Sequence, residues 1–117
     1  MIEVKAHRDG AGWRVTMQGH AMMGAAGCDI VCAAASMLLQ ACVYGLQKLD
    51  VERLCWRMEK GEAELRLPGG GRQDGRVEAM LDGLELLSAA YPRAVRIERE
   101  DGPEGASPAV KVDAAGK

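Results

Sequence analysis

The chain has no phenylalanine, and Trp13, Trp56, Tyr44 and Tyr91 bring aromatic residues to only 3% of its 117 residues. Its core must therefore be aliphatic, filled by Leu, Val, Ala and seven Met. Neither sign of charge predominates. Fifteen Lys and Arg stand against 17 Asp and Glu, for a net charge of −2, and no basic run exceeds two residues. Without a basic stripe or a set of stacking aromatics, a dedicated nucleic-acid surface is not expected. Met1 to Gly10 contains no apolar stretch of the kind that precedes a signal cleavage site, so the cytoplasm is the expected location. The longest apolar run, Ile30 to Leu46, holds Ser36 and Gln40 and falls short of the roughly 20 residues of a bilayer span. It reads as a buried core helix, with no membrane partner. A chain of this length buries roughly two thirds of its unfolded surface without staples. In a reducing compartment Cys28, Cys32, Cys42 and Cys55 are therefore expected as thiols.

Ile2, Val4 and Ala6 alternate with Glu3, Lys5 and His7, and Trp13, Val15 and Met17 alternate with Arg14, Thr16 and Gln18. This is the period of half-buried strands, and Asp9-Gly10-Ala11-Gly12 between them predicts a hairpin of residues 2–8 and 12–19. Residues 19–28, mostly small and rich in glycine, read as a mobile loop. Asp29 then suits the N-cap of a helix to about Lys48, apolar nearly all round and so expected in the middle of the fold. A second hairpin is expected over residues 54–58 and 63–67. Val77, Met80, Leu81, Leu84 and Leu87 predict an amphipathic helix over residues 74–91, ending before Pro92. Residues 94–100 alternate again as a fifth strand. The order β-β-α-β-β-α-β predicts an α+β, two-layer sandwich whose two helices pack on one face of a mixed, mostly antiparallel sheet. One domain over residues 1–100 and a flexible tail over 101–117 complete the reading.

The chemistry concentrates in Gly19-His20-Ala21 and in Gly27-Cys28-Asp29-Ile30-Val31-Cys32-Ala33-Ala34-Ala35-Ser36. His20 falls at a strand end and Cys32 in the expected first helical turn, so the intervening loop can bring imidazole and thiol together. Helix N-termini and neighbouring imidazolium both favour a thiolate. Such a pair supplies a nucleophile and an acid for the leaving amine, and first-turn amides can receive an oxyanion. Each residue also has a plainer use. Cys32 can be a small buried hydrophobe, His20 a strand-end hydrogen bonder, Asp29 only the cap, and Ser36 only a small packing residue. Cys42 and Cys55 are expected in the core, and His7 in solvent.

These same segments, with twelve residues from His20 to Cys32, resemble the ribosomal-processing cysteine protease family Prp. The resemblance runs to about Glu100 and includes Gly83-Leu84-Glu85 and Tyr91-Pro92. From the residues, Asp29 can orient His20 and Ser36 can donate to the thiolate as supporting residues, with no cofactor or metal expected; the resemblance itself implies that His20 and Cys32 are the catalytic pair. It implies a homodimer whose substrate is the N-terminal extension of large-subunit ribosomal protein number twenty-seven, removed after a Phe. Ala21, Met22, Met23, Gly24 and Gly27 would form the loop over the substrate. Cys28 departs from the family pattern, which is polar at that position. It leaves open a Cys28–Cys32 disulfide or a metal held with His20. A non-enzymatic ribosome-associated peptide-binding module is the alternative function.

Overall fold

The computed structural model describes the backbone of residues 1–20 and 25–101 and the side chains of residues 1–20 and 30–100. The elements run β1 (Ile2–Asp9), β2 (Gly12–Gln18), α1 (Ala25–Lys48), β3 (Cys55–Glu59), β4 (Glu62–Leu67), α2 (Gly71–Ala90) and β5 (Val95–Asp101). They form an α+β fold around one five-stranded sheet of order β3-β4-β2-β1-β5. Three pairings are antiparallel, and β5 lies parallel to β1, with Ile2 opposite Val95 and Val4 opposite Ile97. The sheet is mixed and mostly antiparallel, as the element order implies.

Strand alternation sorts the sheet into two faces. Ile2, Val4 and Ala6, Trp13 and Val15, Leu65 and Leu67, and Val95 are buried on one face. Glu3, Lys5, Arg14, Arg66, Arg96 and Glu98 occupy the other and are exposed. The helices cover only the first face. From α1, Val31, Ala35, Leu39, Val43 and Leu46 join the core at helical spacing, and from α2, Val77, Met80, Leu81 and Leu84. Each of the larger side chains contributes about 1.5–3 kcal/mol by burial. The core found is aliphatic apart from Trp13, but of the methionines expected to fill it only Met80 is buried among the described residues, and Met37 is exposed.

Three expectations need correction. α1 begins at Ala25, four residues before Asp29, so Asp29 is not its N-cap. Ala is the strongest helix former and extends the helix back through the small-residue segment, where Gly27 costs only about 1 kcal/mol. Nor is α1 central: Ile30, Met37 and Tyr44 are 61%, 60% and 65% exposed along one side. The 24-residue helix is long enough for a bilayer span, but its buried stripe is part of the common core, which marks it as a core helix. Finally, Cys55 is exposed at the edge of the sheet, whereas Cys42 is buried as expected. The strand limits of β5 fall one residue later than the sequence suggests. The expected tail beyond Asp101 lies outside the described residues.

Candidate active site

One end of the sheet carries the site. There β2 finishes beside the start of β1 and the turn between β3 and β4, because Gln18 pairs with both Glu3 and Glu62. The Gly19 amide donates to the Gly61 carbonyl across 2.9 Å, tying the strand end to that turn. Gly19 adopts φ +99°, and a β-carbon there would lie 2.1 Å from the Met1 carbonyl oxygen, so only glycine fits. This junction delivers His20 to the mouth of a cleft of about 400 Å³.

Cys32 lines the same cleft from α1, half-buried beside the core. Ile2, Met17, Leu39 and Met58 form its apolar floor, and Glu59, Lys60 and Glu62 bring charge to its rim. Ser36 also lines it, one turn beyond Cys32, and its Oγ accepts a hydrogen bond from Gln40 Nε2 at 2.8 Å. Of the residues singled out in the sequence, His20, Cys32 and Ser36 thus share one cleft. Ala21, Met22, Met23 and Gly24 lie outside the described residues, as do the side chains of Cys28 and Asp29. Gly27 is helical rather than part of a loop.

The position of Cys32 corrects one part of the expected chemistry. It is the eighth residue of α1, in the third turn. The partial charge of a helix end fades within the first turn, and only the first four amides of a helix lack an internal acceptor. Neither the helix-end field nor free helix amides for an oxyanion are therefore present at Cys32. Among the described residues, the same cleft holds the imidazole that the strand end brings to it.

A second hollow of about 410 Å³ also holds a His and a Cys, His7 and Cys55. They occupy one row across the sheet, His7 opposite Arg14, Arg14 opposite Arg66, and Arg66 opposite Cys55. Three strand spacings put them about 14 Å apart. His7 is instead engaged by Asp9 at 3.1 Å and Glu100 at 3.4 Å. No proton can pass directly between these two. Among the described residues, no three His, Cys, Asp or Glu side chains converge as a metal site.

Sequence reasoning missed the contribution of the β3–β4 turn. Glu59-Lys60-Gly61-Glu62 reads as a turn, but its place beside His20 follows from the pairing of β4 with β2, which spans more than forty residues of chain. Met58 was legible only as a strand residue for the same reason.

Comparisons with known proteins bear on the family and the fold. The family described as Cysteine protease Prp matches residues 1–96. Among solved structures, the essential ribosomal processing protease Prp from S. aureus in complex with a substrate peptide is 27% identical. It covers 86% of this chain and all of that one, with a TM-score of 0.74. The same S. aureus protease with a covalently linked product peptide is 28% identical over the same shares, with a TM-score of 0.75. A Streptococcus mutans protein is 29% identical, covering 86% of this chain and 95% of its own, with a TM-score of 0.73. No curated protein matches the chain.

Proposed function

This chain belongs to the Prp family of cysteine proteases, and from that premise we propose that it is a cysteinyl endopeptidase with a Cys32–His20 dyad. Its substrate on this reading is the N-terminal extension of large-subunit ribosomal protein number twenty-seven, removed in the cytoplasm during ribosome assembly by a homodimer. The observation that carries the reading is the convergence of His20 and Cys32, from different elements, on one cleft with an apolar floor. The S. aureus relatives, one with a substrate peptide and one with a covalently linked product peptide, support it.

The Cys32 Sγ attacks the scissile carbonyl as the thiol proton passes to the His20 imidazole. The C–N bond then breaks, the imidazolium proton goes to the leaving amine, and a thioester to Cys32 remains. Water attacks the thioester, His20 takes its proton, and the returning proton restores the thiol. Met17, Leu39 and Met58 offer an apolar surface to a side chain flanking the bond, and the two methionines can adapt to its shape.

Cys32→Ala and His20→Ala should each abolish cleavage of the extended ribosomal protein from the same genome while leaving thermal unfolding unchanged. Cleavage by Cys32→Ala at the wild-type rate overturns the reading.

A further inference from the structure

His20 is exposed at the end of a strand, so burial does not fix its ring. Among the described residues, the backbone of the β3–β4 turn lies against the ring. A β-carbon on Gly61 would sit 2.8 Å from His20 Nε2, 3.2 Å from Cε1 and 3.6 Å from Cδ2, so the imidazole rests directly on the glycine's open face. The turn carrying that face cannot drift away from the histidine, because the Gly61 carbonyl accepts the amide of Gly19, the residue before His20. We propose that Gly61 is a positioning residue for the protease reaction, whose missing side chain leaves the space in which His20 stands to serve Cys32. This rests on the dyad reading above and adds to it a residue from the β3–β4 turn.

The turn by itself asks for less than glycine. Lys60 and Gly61 are the two residues between the paired Glu59 and Glu62, and Gly61 has φ +79°. Asparagine tolerates that backbone region and is common in such hairpin turns. Turn geometry therefore accepts Gly61→Asn, whereas the ring does not: its nearest atoms belong to a movable side chain, so the substitution displaces His20 rather than unfolding the sheet. A merely structural glycine and a positioning glycine thus predict different outcomes for one variant. Gly71 supplies the control, since it has φ +61° at the start of α2 with nothing within 4 Å of a β-carbon.

The test compares wild type, Gly61→Asn, Gly71→Asn and His20→Ala on a peptide spanning the cleavage junction of the ribosomal precursor. Alkylation of Cys32 by iodoacetamide is followed separately by peptide mass spectrometry from pH 5 to 9. Gly61→Asn is expected to keep its thermal unfolding within a few degrees of Gly71→Asn and to lose at least tenfold in kcat with KM within twofold. Its pH profile of Cys32 alkylation should shift from that of wild type toward that of His20→Ala. Gly71→Asn should keep wild-type kcat and the wild-type alkylation profile. A Gly61→Asn protein with wild-type kcat and alkylation profile, or with a loss confined to KM, overturns the positioning role. Full cleavage by His20→Ala is a separate result that overturns the dyad itself.

Discussion

The indole N–H of Trp13 donates to Oδ1 of Asp74 across 2.9 Å, and the same oxygen accepts the Gly70 amide at 2.8 Å, so one carboxylate joins β2 to the start of α2. Arg8 of β1 donates to Oδ2 at 2.6 Å, and its guanidinium lies 5.2 Å from the centre of the Trp13 ring. Burial raises the Asp74 carboxyl, but the indole, the Gly70 amide and Arg8 together outweigh it and hold the group below its ordinary value. With a lowered native pKa, the unfolded chain binds more protons near pH 4. This part of the stability is present above about pH 4 and is lost as pH falls through the native value. Asp74→Asn should therefore cost about 1–3 kcal/mol at pH 7, and the gap from wild type should narrow below about pH 4 in urea melts. The clamp lies at the sheet end opposite His20, so cleavage per folded molecule should not change. A constant gap from pH 7 to pH 3 would show that the carboxylate charge is not what matters.

The cysteines divide by environment. Cys42 is buried, its Sγ faces the Arg76 carbonyl at 3.6 Å, and burial pushes its thiol up to about 11 despite the opposing charge of Arg76. Cys55 is exposed. In a Cys28→Ser background, a disulfide reagent at pH 7.5 should titrate Cys32 and Cys55 in the native protein and reach Cys42 only after denaturation. A raised native pKa also means that the folded state holds its proton longer than the unfolded one. The contribution of Cys42 to stability is thus full below the unfolded thiol value and is lost as pH rises through about 11, by an amount on the order of 2 kcal/mol. Cys42→Val should be insensitive to that rise. Rapid native labelling of Cys42 would contradict both expectations.

Four of the five strands were legible because each has one face in the core, which writes a period of two into Ile2-Val4-Ala6 and Ala63-Leu65-Leu67; β3 has no buried residue, and Trp56 on it is exposed. Cys55 shows how that signal can be overridden by residue type. It shares the phase of Arg57 and Glu59, which places it on the charged face, but the usual burial of cysteine argues the other way. The start of α1 was hidden because Gly24 and Gly27 suggest a loop while Ala25 and Ala26 suggest a helix, and their small propensities nearly cancel. His20 and Cys32 stood out by type and spacing. Gly61 did not, because its importance lies in which strand end it meets, and the order β3-β4-β2-β1-β5 is a long-range property that no local pattern encodes.

α1 and α2 approach closely at Gly83, where a β-carbon would lie 2.6 Å from Leu38 Cδ2 and 3.2 Å from Cδ1. Alanine in place of a mid-helix glycine gains about 1 kcal/mol in propensity. Here the gain is opposed by the need to move both methyls of Leu38, a change typical of overpacking at about 1–3 kcal/mol. Gly83→Ala alone should therefore be destabilising, whereas in a Leu38→Ala background the same change should be stabilising. A double-mutant cycle by chemical denaturation reads the coupling directly, and additive effects would mean that the helices do not meet at this pair.

Ile30, Met37 and Tyr44 recur every seven residues on α1, two turns apart, and leave an apolar stripe open along the side of the helix away from the core. A lone exposed Leu or Met needs no explanation, but an aligned set on one helix is the form of a helix-to-helix contact. On the proposed homodimer this stripe would be the interface, with two copies of α1 meeting as an isologous pair and each Met37 near the symmetry axis. Met37→Glu would then place two like charges together in an apolar interface, while in a monomer it would merely add a charge to an exposed helix position. Sedimentation equilibrium should give a dimer for the wild type and a monomer for Met37→Glu, with native circular dichroism for both. Gln47→Glu, an exposed change on the same helix, should leave the dimer intact. A Met37→Glu protein that sediments as the wild-type dimer would exclude this stripe as the interface.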